Sequence, residues 1–181
     1  MWARTLSVFL GDNGYLCGTG RLQGKVYPWE ESIRVPMFAR GGVVRARAKV
    51  DAPVASIDLP ATLLDYAGIR SAYPMAGRSL REELERGRSP RTVAFSFWND
   101  GRPEALVIRK PVEPNRVVRT RTHNYILWES KKQALFDLRT DPVEEQNLAD
   151  EARCARVLQQ MRALLVRRMK ETAGPALAWL G

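Results

Sequence analysis

The chain has 181 residues, a length typical of one domain or of one and a half small ones. Its hydrophobic fraction of 45% and charged fraction of 27% exclude a mainly disordered chain, a collagen and a disulfide scaffold. No apolar run approaches the roughly 20 residues of a membrane span. Lys and Arg number 29 against 20 Asp and Glu, which gives a net charge of +9, and the single histidine, His123, excludes a mechanism that needs two imidazoles.

The first half alternates strand, loop and helix signals. In chain order the sequence predicts a strand at 5–10, a glycine-rich loop at 14–24, a helical turn at 30–33, a strand at 34–39, a helix that starts near Ser56 or Asp58 and stops at Gly68, and a short charged helix at 78–86. Either Ser56 or Asp58 is a good N-cap, and glycine is the usual residue after a helix. Because the chain opens on a buried-looking strand, we expect further structure before it.

The second half changes character after the turn-forming residues 87–90, so we predict two parts, 1–88 and 89–181. Strand-like runs occur at 91–98, 105–109, 116–128 and 134–138, and turn signals between them predict an antiparallel meander. A final helix is predicted at 150–170, where one apolar stripe runs along Cys154, Leu158, Met161, Leu165 and Met169.

Two short polar motifs could carry chemistry. Asp12-Asn13 follows the first strand, and ligands of open α/β sheets bind beyond the carboxyl ends of strands. Their oxygens suit Ca²⁺ or Mg²⁺, although Asp-Asn-Gly is also common turn chemistry. Lys25 ends the glycine-rich loop and could reach an anionic oxygen, but a lysine is more often a solvated surface residue.

Other reactive or charged residues favour structural roles. Cys17 and Arg21 are separated like a modified nucleophile and its arginine, but Thr19 between them breaks that pattern. We interpret Cys17 as a small loop or buried thiol, Cys154 as a packing residue and His123 as a surface or strand-edge residue. The basic stretch at 40–49 is typical of a solvated loop; the alternative is a contact with nucleic acid or a polyanionic glycan. No aromatic residues interleave with it, so nucleic acid is poorly supported.

Taken together, four ordered blocks resemble the sulfatase family. They are the run from Asp12 to Met37 (DNGYL, G18, RLQGK, YPWEESIRVPM), 54–69 (VASIDLPATLLDYAGI), 118–126 (VRTRTHNYI) and 134–149 (ALFDLRTDPVEEQNLA). The first is similar to the metal-and-substrate block of an alkaline-phosphatase-like catalytic domain. The last resembles the family's C-terminal subdomain, with its Leu-Tyr-Asp-Leu and Asp-Pro-x-Glu-x-x-Asn-Leu patterns.

The resemblance implies an α/β fold: 1–88 would be the distal part of an α/β/α catalytic domain, and 89–181 a small antiparallel sheet with a C-terminal helix. It implies that Asp12 and Asn13 are metal ligands, usually for Ca²⁺, and that Lys25 contacts the sulfate group. The family's nucleophile, a cysteine converted to formylglycine in a Cys-x-Pro/Ala-x-Arg motif, lies upstream of these blocks. No catalytic residue is therefore assigned here, and a frequent Gly-Glu-His is replaced by Gly18-Thr19-Gly20.

The implied parental activity is metal-dependent hydrolysis of a sulfate ester or N-sulfate on a carbohydrate or aryl compound. The 181-residue chain, as a C-terminal fragment, is expected to be inactive alone, to bind Ca²⁺ weakly and to associate through an incomplete sheet. Two alternatives stay open. One is a basic module that binds sulfated glycan or nucleic acid without turnover, and the other is a fragment of a phosphodiester or phosphonate hydrolase.

Overall fold

A computed structural model of the chain describes residues 4–18, 22–99 and 112–172. Helices and antiparallel strands alternate along it, consistent with the predicted α/β class. In chain order the elements are β1 (Leu6–Leu10), β2 (Leu16–Cys17), β3 (Gln23–Gly24), α1 (Glu30–Ile33), β4 (Met37–Gly41), α2 (Asp58–Ala67), α3 (Arg81–Arg86), β5 (Val93–Trp98), β6 (Asn115–Thr120), β7 (His123–Trp128), β8 (Gln133–Asp137) and α4 (Ala155–Glu171).

The chain forms two compact units that interleave in sequence. The first contains Met1–Asp12 and Val35–Ala94, and the second contains Asn13–Arg34 and Phe95–Gly181. The family-based division into 1–88 and 89–181 stays a prediction, since it concerns domains of a longer protein. Within the described residues, no helix is both long enough and apolar enough to cross a membrane.

In the first unit, β1 and β4 pair antiparallel, from Leu6 opposite Gly41 to Leu10 opposite Met37. β4 begins three residues later than predicted because Pro36, which has no N–H to give to a ladder, precedes it. Phe9 and Phe38 lie directly opposite each other and stack with centroids 4.6 Å apart, although they are 52% and 62% exposed. The exposed face of the two-stranded sheet therefore carries one stacked aromatic pair beside Ser7 and Arg40.

The helix α2 ends as the sequence predicts, with Gly68 in the left-handed conformation (φ 68°). It begins at Asp58, within the predicted start, but the N-cap prediction is wrong: Ile57, and neither Ser56 nor Asp58, occupies the N-cap, and no side chain caps the helix. Asp58 is instead the first helical residue and is fully buried, and its carboxylate accepts hydrogen bonds from the backbone N–H groups of Ala55 and Arg78. The carboxylate also forms a close ion pair with Arg91. It thus joins α2 to the segments around α3.

The predicted antiparallel meander is confirmed for β6, β7 and β8, which belong to a four-stranded sheet in the order β5-β6-β7-β8. The single run predicted at 116–128 is wrong, because Arg121 and Thr122 form a turn that divides it into β6 and β7. The predicted strand at 105–109 lies outside the described residues. One core cluster of the sheet consists of Val117, Ile126, Ala134 and Phe136, with Ile33, Trp128 and Leu138 packed against it.

The last helix, α4, starts at Ala155, five residues later than predicted, because a 3₁₀ turn (Ala152–Cys154) precedes it. Three residues of the predicted apolar stripe are buried, namely Met161, Leu165 and Met169, and α4 packs on β6 and β7. Cys154 is half-buried at the N-cap, and its thiol is not in a disulfide.

Candidate functional site

The predicted metal ligands follow β1 directly. Asp12 ends one part of the first unit and Asn13 begins the second unit, and both side chains are exposed. The Asn13 amide Nδ2 donates a hydrogen bond to the carbonyl oxygen of Gly14 at 2.8 Å. That bond uses the nitrogen of the amide, whereas the amide atom with ligand chemistry is Oδ1.

The predicted sulfate contact, Lys25, is an exposed residue just after β3. β3 pairs with β2, so that Leu16 lies opposite Gly24. The backbone carbonyl of Lys25 accepts a hydrogen bond from the hydroxyl of Ser32 at 2.5 Å. Ser32 lies in α1 and is 3% exposed, so a buried residue fixes the main chain at Lys25.

The same helix also fixes the main chain beside Asn13. The N–H of Gly14 donates to the carbonyl of Ser32 at 2.8 Å. A Cβ on residue 14 would lie 2.0 Å from the carbonyl oxygen of Glu31, a distance that no side chain tolerates. Only glycine therefore fits where the loop crosses α1, and Ser32 holds the chain at both Gly14 and Lys25.

The helix α1 is in turn anchored to the antiparallel sheet by a buried ion pair. Glu30, 8% exposed, accepts two hydrogen bonds from the Arg119 guanidinium of β6, each 2.7 Å long. Such a bidentate pair has a fixed geometry, because the planar fork of arginine matches the two carboxylate oxygens. It joins two residues that lie 89 positions apart in the sequence.

A second buried carboxylate, Glu144, closes the same contact. One of its oxygens accepts the backbone N–H of Glu30 and the other accepts the Nδ2 of Asn124 in β7, both at 2.6 Å. Glu144 is 4% exposed, and burial raises the pKa of its carboxyl to about 7. The negative charge of Glu30 raises it further, whereas hydrogen bonds to the carboxylate and the charge of Arg119 lower it.

Glu144 belongs to the Asp-Pro-x-Glu-x-x-Asn-Leu pattern, and the structure gives each polar residue of that pattern a role. Asp141 accepts the N–H groups of Glu145 and Gln146, at 3.1 and 2.9 Å. Asn147 accepts the N–H groups of Leu135 and Ala149, both at 3.0 Å. The pattern therefore builds a hydrogen-bonded loop against β8 that presents Glu144 to α1.

An open groove of about 810 Å³ runs across this part of the second unit. Trp29 and Trp128, whose ring centroids are 6.0 Å apart, and Glu144 contribute to its lining. The rest of the lining is apolar at Leu22, Ala134 and Phe136 and polar at Lys131, Lys132, Gln133, Glu145, Asn147 and Asp150. The buried carboxyl of Glu144 can therefore exchange protons through the groove.

The donor set fits a divalent cation only in part. Asp12 and Asn13 offer the hard carboxylate and amide oxygens that Ca²⁺ prefers, but Ca²⁺ takes 6–8 oxygen ligands. Within residues 4–18, 22–99 and 112–172 there is no group of three or more His, Cys, Asp or Glu side chains that could hold a metal. Two such side chains are fewer than Ca²⁺ needs, and their role as metal ligands stays a prediction.

The remaining reactive residues lie elsewhere. Cys17 is exposed at the end of β2. His123 corrects the surface or strand-edge prediction, since it is half-buried at the start of an interior strand. Its Nδ1 lies 2.8 Å from the Thr122 hydroxyl, and burial lowers the pKa of its imidazole. In the basic stretch, Arg45 donates to the carbonyl of Arg86 at 2.7 Å and Lys49 pairs with Asp51 at 3.4 Å, so both have local partners.

The sequence interpretation missed the network of Glu30, Arg119, Asn124 and Glu144. All four lie inside the family-like blocks, but sequence reasoning gave them no role. The available signal was Asn124, a polar residue inside the otherwise apolar strand β7, because a buried polar group needs a partner. Sequence spacing could not identify the partners, which lie 20 to 114 positions apart.

Comparisons of this sequence with a family profile and with known proteins agree on one family. A family profile described as N-sulphoglucosamine sulphohydrolase, C-terminal, matches residues 18–171. A delta 4,5-hexuronate-2-O-sulfatase of Bacteroides thetaiotaomicron is 29% identical over 168 residues, which cover 89% of this chain and 34% of that protein. The chain thus spans about a third of that relative's length.

Two solved structures have the same fold. One, in complex with its substrate D-glucosamine-2-N,6-O-disulfate, has a TM-score of 0.78 at 23% identity, over 94% of this chain and 35% of the other. The second, a phosphonate monoester hydrolase from Silicibacter pomeroyi, has a TM-score of 0.78 at 24% identity, over 93% of this chain and 35% of the other.

Proposed function

Because the chain belongs to the sulfatase family, matching its C-terminal part over residues 18–171, we propose that it supplies part of a metal-and-sulfate site. Asp12 and Asn13 would bind a divalent cation, usually Ca²⁺, and Lys25 would contact the sulfate group. The observation that supports this most is the placement of Asn13 and Lys25. Both residues belong to the second unit. Ser32 in α1 forms hydrogen bonds with the main chain of Gly14, next to Asn13, and with that of Lys25 itself.

The proposed activity of the longer protein is hydrolysis of a sulfate ester or N-sulfate on a carbohydrate or aryl compound. A bound cation would supply positive charge that stabilises the negative charge on the sulfuryl oxygens. Lys25 would hold a second oxygen as a point charge, and the exposed position of Lys25 leaves room for an anion to approach. Asp12 and Asn13 would bind the cation through one carboxylate oxygen and one amide oxygen.

The 181-residue chain should not hydrolyse sulfate esters by itself, because no Cys-x-Pro/Ala-x-Arg motif occurs in its sequence. Two ligand side chains should also give only weak Ca²⁺ affinity, with a dissociation constant on the order of millimolar. The purified chain is expected to release no nitrophenol from 4-nitrophenyl sulfate. Turnover that disappears in Lys25→Ala would contradict this expectation.

Binding to the chain tests the proposed site directly. Titration with CaCl₂, followed by NMR, should shift the Asn13 side-chain amide and the backbone amide of Asp12. Sodium sulfate should shift the resonances of Lys25 and of the neighbouring backbone amides, and Lys25→Ala should abolish the response of those neighbouring amides. Lys49→Ala is the matched control, because Lys49 is also exposed, with 88% of its side chain accessible. Equal loss in both variants would reduce the effect to general charge screening and contradict a specific sulfate contact.

A phosphonate monoester hydrolase is the second candidate, because a protein with that activity has the same fold. Sulfate and methylphosphonate are both tetrahedral anions, so the same residues could hold either. Competition between the two anions at Lys25 distinguishes the candidates. A clear preference for methylphosphonate would favour the phosphonate reaction over sulfate hydrolysis.

A non-enzymatic basic module is the third candidate, and the net charge of +9 is what favours it. Such a module should be retained on heparin with a strong salt dependence, because binding releases counterions. If heparin retention survives Lys25→Ala but is lost when Arg45, Arg47 and Lys49 are neutralised together, the basic loop is responsible. That outcome would favour glycan binding without a catalytic site.

A further inference from the structure

Glu144 has a left-handed backbone conformation, and its side chain contacts a residue distant in the sequence. Its φ of 60° lies in the left-handed region, which a non-glycine residue adopts only when its surroundings impose it. Its carboxylate reaches the backbone N–H of Glu30, 114 positions earlier in the chain. The loop that carries Glu144 is itself held by Asp141 and Asn147. A strained residue on a braced loop is a well-defined anchor.

From that anchor, a continuous series of hydrogen bonds leads to the proposed site. Glu144 holds the first residue of α1, and Arg119 holds the side chain of the same residue. Two residues later, Ser32 accepts the N–H of Gly14 and donates to the carbonyl of Lys25. Every contact lies within the second unit. The position of α1 therefore sets the main chain beside Asn13 and at Lys25.

We propose that Glu144, acting with Arg119 through Glu30, is a positioning residue for the sulfate-contacting segment 25–34. This inference rests on the proposed function, since it specifies what holds Lys25 in place. Glu144 touches neither Lys25 nor Asn13, so its effect on them passes through α1.

Both protonation forms of Glu144 have partners. As a carboxylate it accepts from Glu30 N–H and Asn124 Nδ2. As a carboxylic acid it needs an acceptor, and the buried Oδ1 of Asn124 has no hydrogen-bond partner among the described residues. Turning over the Asn124 amide exchanges Nδ2 and Oδ1, which provides that acceptor. The charged groups that face Glu144 are Glu30 on α1 and Arg119 on β6; Lys131, Lys132, Glu145 and Asp150 share the groove.

Hydrogen exchange on the full 181-residue chain tests the proposal. In Glu144→Ala, the amides of Gly14, Ile33 and Arg34 should exchange at least about tenfold faster, whereas amides paired within β6, β7 and β8 should change little. Glu144→Gln should restore protection, because its carbonyl can accept from Glu30 N–H while its amide donates to Asn124 Oδ1. In the wild-type chain, protection of these amides, corrected for intrinsic exchange, should fall between about pH 5 and pH 8, and in Glu144→Gln it should stay constant.

Glu145→Gln is the matched control, since it removes the same charge from the next, exposed residue of the loop. It should leave protection and its pH profile unchanged. The proposal is overturned if Glu144→Ala leaves segment 14–34 protected, or if it loosens the whole sheet equally, which would make Glu144 an ordinary stabilising residue.

Sulfate binding distinguishes a wrong positioning role for Glu144 from a wrong proposed function. If the wild-type Lys25 responds to sulfate and Glu144→Ala weakens that response at least about threefold, both hold. If Glu144→Ala binds sulfate as the wild type does, the positioning role is wrong and the function stands. If the wild type itself gives no response to sulfate, the proposed function is wrong, whatever the exchange rates show.

Discussion

The four buried acidic residues of the described chain differ in what compensates their charge. Glu30, Asp58 and Glu83 each pair with an arginine, namely Arg119, Arg91 and Arg78. Glu144 has no arginine or lysine within ion-pair distance in that part of the chain, and only neutral N–H donors contact it. That difference accounts for the raised pKa of Glu144, because burial disfavours its charged form and the charge of Arg119, which does not pair with it directly, offsets only part of that cost.

The raised pKa makes stability depend on pH with a definite sign. The folded chain binds the Glu144 proton more tightly than the unfolded chain, whose carboxyl has the ordinary value of 4.5. The resulting stabilisation is complete below about pH 4.5 and is lost as the pH rises through about 7. Relative to the wild type, Glu144→Gln should remove this dependence, which amounts to on the order of 2–3 kcal/mol. Urea unfolding at pH 5, 6, 7 and 8 measures it.

The control for this prediction is Glu145→Gln, which should keep the wild-type slope of unfolding free energy against pH. The quantity to compare is the wild-type curve minus that of Glu144→Gln, because the lowered pKa of His123 makes stability rise with pH in the same range and contributes to both curves. A difference that is flat from pH 5 to 8, or one that rises, would mean that Glu144 is ionised throughout. The anchor would then be a permanent carboxylate.

At the scale of elements, the sequence predicted a helix end that one residue determines, but it did not predict a turn that lacks the usual turn residues. The end of α2 was predictable because Gly68 is a residue that accepts a left-handed conformation at low cost. The turn between β6 and β7 was not, because no Gly, Pro or Asn marks it. The hydroxyl of Thr120 closes that turn, accepting the N–H of His123 at 3.0 Å and donating to its carbonyl at 3.2 Å.

The residues of the candidate site also divide into those that the sequence identified and those that it did not. Asp12, Asn13 and Lys25 were identified because they lie in one sequence block, 12–37, that resembles the sulfatase family, and their roles stay predictions. The residues that fix the site's main chain, Glu30 and Glu144, were not identified. Their contacts join segments far apart in sequence. The spacing of residues along the chain does not indicate which buried carboxylate accepts a hydrogen bond from which backbone N–H.

The pair of Asp58 and Arg91 gives a prediction for the packing of α2 and α3. Arg91→Leu should destabilise the first unit by about 3–5 kcal/mol, because it leaves a fully buried carboxylate without its cation. Thermal and urea unfolding measure the loss. Arg88→Leu is the control and should cost less than about 1 kcal/mol, since the Arg88 side chain is 69% exposed and pairs with Glu82 at the surface.

Adding Asp58→Asn to Arg91→Leu should recover part of the stability, because an amide is less costly to bury than an unpaired charge. If the double variant is no more stable than Arg91→Leu, the loss comes from packing of the arginine and the buried charge is not its cause.

At the scale of the molecule, the β1–β4 sheet presents a stacked aromatic pair, Phe9 and Phe38, that the described part of the chain leaves exposed. Exposed apolar patches favour association. We expect the purified chain to self-associate in a concentration-dependent manner, measured by sedimentation velocity. The double substitution Phe9→Ser with Phe38→Ser should shift it toward monomer, whereas Tyr73→Ser, at a residue 81% exposed in the same unit, should not. A compact wild-type monomer at all concentrations would contradict this role for the sheet.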